Sequence, residues 1–200
     1  MRELFSIEEL KQPAIVKDES GIIIEKFLSA HDRKIEGLRK LAGGLPSEGE
    51  IFFMWTLNSF NAFTFISYVI KHAGTIEELT IATYSISTRI IDALMKIIGR
   101  GNILKVHLLI SDSLPYRLPR VHDHLQALTA NRNEISVSYA WNHSKIALMK
   151  TKNSHYIVEG SGNFGENAQH EQYIFLNSKQ VYDFRKNEIH VINGRTTSKG

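Results

Sequence analysis

Three apolar runs of strand type recur along the chain, each followed by a helix-like segment, and that order restricts the fold more than any other feature. The runs are Ile51-Phe52-Phe53-Met54-Trp55, Leu79-Thr80-Ile81-Ala82-Thr83-Tyr84 and Val106-His107-Leu108-Leu109-Ile110. A helix is predicted from about Phe60 to His72, closed by Ala73-Gly74, and a second over Ile90–Ile98, capped by Ser87-Thr88 and broken by Gly99-Arg100-Gly101. A short helix from about Val121 to Thr129 then leads to Ile135–Tyr139, whose alternation marks a strand with one buried face. Strands separated by helices pair in parallel. The last third changes rhythm: Lys145–Met149, His155–Val158 and Tyr173–Leu176 are strand-like runs with short turns between them, and a helix over about Lys179–Phe184 closes the domain. The expected architecture is α/β, a mixed sheet flanked by helices on both faces.

Residues 1–49 read as an N-terminal helical appendage, with an amphipathic helix from Ile22 to Leu41 that ends at Gly43-Gly44 and Pro46. Residues 50–192 form the main domain and 193–200 a flexible tail. Apolar residues make up 42% and charged residues 22%, which suits a globular chain and excludes a disordered or fibrous one. With no cysteine, disulfide scaffolds and thiolate zinc sites are excluded, and a reducing compartment fits. The opening residues mix Glu3, Glu8 and Glu9 into the first turns and lack a secretory apolar core, so a cytoplasmic location is expected. The most apolar window, Ile51–Ile70, is interrupted by Asn58, Ser59, Asn61 and Ser67, so no membrane partner is expected. A net charge of +3 suits an anionic partner such as nucleic acid, though solvated lysines on any enzyme would produce it too.

The stretch that carries chemistry is Trp141-Asn142-His143-Ser144-Lys145, followed by Gly160-Ser161-Gly162-Asn163-Phe164 and then Glu171. Residues two apart on a strand face one way, so His143 with Lys145, and Ser161 with Asn163, are expected to project side by side, with the glycines leaving room for a ligand. An imidazole, an ammonium, a hydroxyl and a carboxamide at one point are phosphate-handling groups. Phosphoryl transfer needs a nucleophile, donors for the phosphate oxygens and an acid for the leaving oxygen. A neutral imidazole can attack phosphorus and form a phosphohistidine, splitting one displacement into two easier ones. A carboxylate such as Glu171 on the other ring nitrogen would set the tautomer. The scheme needs no metal and no cofactor.

In order and interval these residues resemble the histidine and lysine motif of the phospholipase D superfamily, in the form carried by its small single-motif nucleases. The resemblance implies that His143 is the nucleophile, Lys145 and Asn163 bind phosphate, Glu171 supports the histidine, and Ser161 hydrogen-bonds in the same site. This chain has Lys150 where the family pattern usually has an aspartate of structural role. Only one such motif is present, and a second histidine must protonate the leaving group. The resemblance therefore implies a homodimer that brings two copies of His143 together. The expected activity is a metal-independent phosphodiesterase, a nuclease acting on DNA rather than RNA. The rival readings are a catalytically silent nucleic-acid-binding or assembly module and a phospholipase.

Other features have plainer explanations. Gly160–Gly165 also suits a simple turn, and no Gly-Lys-Ser/Thr follows it, which excludes a nucleoside triphosphate loop. His122-Asp123-His124 lies on a helix, where residues two apart diverge, and reads as a solvated helix start. Ser111-Asp112-Ser113 reads as turn chemistry at the end of a strand. Lys179, Arg185, Lys186, Arg195 and Lys199 give a basic tail diluted by Asp183 and Glu188. Trp55, Trp141 and Tyr139 are expected in the core, with Trp141 close enough to the motif to line its mouth.

Overall fold

A computed structural model describes residues 33–35, 44–56, 61–165 and 170–197. Among these, eight strands form a single sheet: β1 (Arg33–Ile35), β2 (Ile51–Thr56), β3 (Ile76–Thr83), β4 (Val106–Ser111), β5 (Ile135–Ala140), β6 (Lys145–Thr151), β7 (His155–Gly160) and β8 (Glu171–Asn177). Their spatial order is β1-β2-β8-β7-β6-β3-β4-β5. The helices are α1 (Ala62–Ala73), α2 (Thr88–Gly99), α3 (Leu114–Arg117), α4 (Pro119–Thr129) and α5 (Lys179–Thr197).

β3, β4 and β5 run parallel, because the helices between them return the chain to the same starting edge. β6, β7 and β8 are antiparallel neighbours, because their turns are too short to hold a crossover. The sheet is therefore mixed. Its two faces are sorted by the alternation of side chains along each strand. Leu79, Ile81, Leu108 and Met149 point to one face, where Phe65 and Ile66 of α1, Ile91 and Leu94 of α2 and Leu125 of α4 cover them. Ala82, Leu109, Leu148, Ile157 and Leu176 point to the other, under Tyr182 and Ile189 of α5.

Local chemistry starts and holds the helices. Ser87 accepts a hydrogen bond from the amide of Ile90 at 3.4 Å and begins α2 as expected. α5 is clamped to the sheet by Arg185, whose Nε and Nη2 donate to the two carboxylate oxygens of Glu159 at 2.5 and 2.9 Å, and by Lys186, 2.6 Å from Glu78. α5 continues to Thr197, well past its expected end near Phe184 and through Asn193–Thr197 of the expected tail. Among the described residues no helix is long and apolar enough to cross a membrane.

The expected helix over Ile22–Leu41 lies outside the described residues except at Arg33–Ile35, where the chain is a strand paired in parallel with β2. The open edge of β2 supplies backbone partners, and these override a helical pattern. Pro46 and Glu48 also join the main unit: Asn177 donates to the carbonyl of Pro46 at 3.1 Å, and the amide of Lys179 donates to Glu48 at 3.1 Å.

Candidate active site

Strand register gathers the chemistry at one end of the sheet. Thr83 at the end of β3 pairs with Lys145 at the start of β6, Ile146 pairs with Glu159 near the end of β7, and Gly160 pairs with Tyr173 near the start of β8. Ser111 and Ala140, which end β4 and β5, are register partners. The loops leaving β3, β4, β5 and β7 therefore open on the same side as Lys145 and Glu171.

His143 is not on a strand, contrary to expectation. It sits in the loop Trp141–Ser144, and β6 begins only at Lys145. The loop is held by Asn142, which is 6% exposed. Its Nδ2 donates to the carbonyls of Thr83 and Leu109 at 3.3 and 3.2 Å, and its Oδ1 accepts from the amide of Ser144 at 2.9 Å. A carboxamide is the right group here, since it donates to two strand ends and accepts from the loop at once. The two functional side chains still meet: Nζ of Lys145 lies 3.0 Å from Nδ1 of His143 and 2.8 Å from its carbonyl oxygen. A charged ammonium only donates, so Nδ1 is the acceptor in this contact.

Ser161 follows β7 directly, and its hydroxyl donates to the Glu171 carboxylate. The same oxygen accepts from the amide of Gln172 at 3.1 Å. Glu171 thus reaches the site beside Ser161. Asn163 lies in the next turn of the strip, which is laid against the start of α2 by the amide of Ser87 donating to the carbonyl of Phe164 at 2.9 Å. Gly160 has a different role from the one expected. A side chain there would meet the carbonyl oxygen of Gln172 at 2.5 Å and Cε1 of Tyr173 at 2.8 Å, so the glycine admits a packed tyrosine rather than a ligand.

His143, Lys145 and Ser161 line one open groove of about 810 Å³, whose other wall is formed by Trp55, Gln172 and Ile174. Desolvation pulls the Lys145 ammonium below the usual lysine range, and the Glu171 carboxylate pushes it partly back. Lys150 lies five residues along β6, roughly 17 Å from Lys145 at the usual rise per residue. It pairs with Glu77 at 3.0 Å, away from the groove.

Two residues in the site escaped sequence reasoning. The ring of Tyr84, at the end of β3, stands 4.6 Å from the His143 ring, centroid to centroid. The guanidinium of Arg117 lies 3.9 Å from the centroid of Tyr84. Arg117 also donates to the carbonyl of Tyr84 and to the hydroxyl of Ser113, both at 3.0 Å. Ser113 in turn meets Ser111 at 2.8 Å, so the Ser111–Ser113 turn braces this layer. The only sequence signal was the position of Tyr84 and the turn at the carboxyl ends of parallel strands. Trp141 and Trp55 are not core residues: they are 92% and 51% exposed. Their strand ends face outward at this end of the sheet. His124 pairs with Asp92 at 2.7 Å, and among the described residues no three histidine or acid side chains converge as metal ligands would.

No protein-family model and no curated protein matches the sequence. Solved structures do match. A phospholipase D family member, Nuc from Salmonella typhimurium, superposes with a TM-score of 0.55 at 15% identity over 72% of this chain and 93% of that one. The chain has the phospholipase D fold. Polyphosphate kinase from Porphyromonas gingivalis matches with a TM-score of 0.52 at 14% identity, again over 72% of this chain but only 26% of the kinase. The phospholipase D fold thus accounts for nearly the whole of a small protein such as Nuc and for about a quarter of the larger enzyme. In this chain, the end of the fold that carries the His143 loop also carries Tyr84 and Arg117.

Proposed function

We propose that this chain is a phosphodiesterase, specifically a nuclease acting on DNA, that works without a metal ion through a phosphohistidine on His143. The observation that carries the reading is the 3.0 Å approach of Lys145 to His143 in one open groove with Ser161, whose hydroxyl donates to Glu171, on a phospholipase D fold. A ring nitrogen of His143 attacks phosphorus as the bond to the leaving oxygen breaks. The leaving oxygen takes its proton from His143 of the partner subunit, acting as imidazolium. Water then attacks phosphorus, the P–N bond breaks, and the same partner imidazole accepts the proton from water. Lys145 and Asn163 hold the phosphate oxygens. Substrate phosphate draws the ammonium from Nδ1, which leaves the ring free to adopt the tautomer that attacks.

The test is hydrolysis of DNA, RNA and a chromogenic diester in excess chelator, with phosphate trapped on His143 read by mass spectrometry at alkaline pH. The reading expects turnover with chelator present, a phosphorylated His143, loss of activity in His143→Ala and a dimer by sedimentation. Activity that survives His143→Ala or disappears with chelator overturns the mechanism. A fully active monomer overturns the shared site. Binding of DNA with no turnover identifies a silent binding module instead, and turnover of phospholipid vesicles alone identifies a phospholipase.

A further inference from the structure

The phosphate-handling groups explain only part of this end of the sheet. Trp141 is 92% exposed and Tyr116 is 88% exposed, whereas Phe65, Phe164, Phe175, Tyr173 and Tyr182 are buried. Both exposed rings flank the candidate site. Trp141 directly follows β5 and stands two residues before His143, and Tyr116 lies in α3, just beyond β4. β4 and β5 are neighbours, and their two exits are tied by the amide of Asp112 donating to the carbonyl of Ala140 at 2.9 Å.

Arg117 follows Tyr116 in the chain and reaches toward the histidine through Tyr84. It is held on Tyr84 at 3.9 Å, and Tyr84 is held on His143 at 4.6 Å, so the guanidinium is no farther from the imidazole than those spacings laid end to end. Its Nε and Nη2 donate to Ser113 and Tyr84 and fix the guanidinium plane, so a phosphate would be met by the donors these two bonds do not use. Between Asp112 and Asp123 the chain carries Arg117 and Arg120 and no acid, and Lys145 lies two residues beyond His143.

We propose that the site takes an unpaired polynucleotide strand, with Trp141 and Tyr116 stacking its bases while Arg117 holds a phosphate next to the one at His143. This rests on the nuclease reading and names the form of substrate it accepts. Exposed rings beside cations bind single strands, because each base offers a face to a ring and each phosphate a charge to a cation. In a duplex the bases are already stacked on each other, and the rings gain nothing.

The test uses the full chain carrying His143→Ala, so that bound strands are not consumed. Anisotropy is measured with a labelled oligothymidylate, a duplex of the same length and an abasic deoxyribose-phosphate strand. The oligothymidylate is expected to bind more tightly than either of the others. Adding Trp141→Ala or Tyr116→Ala weakens it by about five- to hundredfold without changing its salt dependence. Adding Arg117→Ala lowers the slope of log affinity against log salt by about 0.7. Equal binding of duplex or abasic strand overturns the proposal, and so does wild-type affinity in Trp141→Ala. If Trp141→Ala dissociates a dimer while strand affinity stays the same, the ring belongs to a subunit contact and the proposal falls. Ring-dependent binding by a wild-type chain that cleaves nothing would remove the catalytic reading alone. Cleavage with ring-independent binding would remove this inference alone.

Discussion

The ring of Tyr84 stands 4.6 Å from the ring of His143, and the Arg117 guanidinium lies 3.9 Å from the centroid of the same tyrosine. An imidazole in an exposed loop has few neighbours to fix its plane, and Tyr84 supplies one. Tyr84→Ala should lower diester cleavage by roughly tenfold to a hundredfold, the scale of a misplaced reacting group, and Tyr84→Phe should retain most of it. Steady-state rates of the two variants, with melting temperatures as a control, check this. Equal rates in Ala and Phe variants would show that the ring does not position His143.

Asn142 is the anchor of the His143 loop. Asn142→Ala leaves the buried carbonyls of Thr83 and Leu109 without these bonds, which should cost about 1–3 kcal/mol. Asn142→Asp should be at least as harmful, because a carboxylate would face two carbonyl oxygens. Urea unfolding gives the stability change, and activity below the unfolding midpoint should fall with it. A variant as stable as wild type with an intact site would contradict the anchoring role.

Lys145 is pulled down by desolvation and pushed up by Glu171. A lowered value means that the ammonium is lost at a lower pH than for an ordinary lysine, so phosphate binding should decline before the usual lysine range is reached. Glu171→Gln removes the upward influence, so the alkaline limb of kcat/KM should move to lower pH. Profiles of the two proteins decide it; a limb that stays in place or moves upward would exclude coupling between the two groups.

Gly160 lies against Tyr173 and the carbonyl of Gln172. Gly160→Ala should destabilise the protein by about 1–3 kcal/mol, because backbone and a buried ring must shift. At roughly 2–4 °C per kcal/mol, calorimetry should resolve the loss. The displacement would be passed to Ser161, the next residue, so activity should fall as well. An unchanged melting temperature would mean that the β7–β8 pair yields at little cost.

Apart from the short α3 at Leu114–Arg117, the sequence by itself determined the order of strands and helices from Ile51 onward, because periodicity follows from backbone geometry and acts over a few residues. It also placed His143, Lys145, Ser161 and Glu171 close to strand ends, where turn residues interrupt apolar runs. The expected side-by-side projection from one strand was the wrong route: His143 meets Lys145 from a loop. Tertiary structure decided that route. Asn142 reaches Thr83 across 59 positions, and Arg117 reaches Tyr84 across 33. Contacts of such separation depend on strand register and crossover direction, which no local pattern encodes. The same holds for Trp141 and Trp55, whose apolar character suggested the core. Exposure depends on which faces the helices cover, and α5 and its partners leave the His143 end of the sheet open.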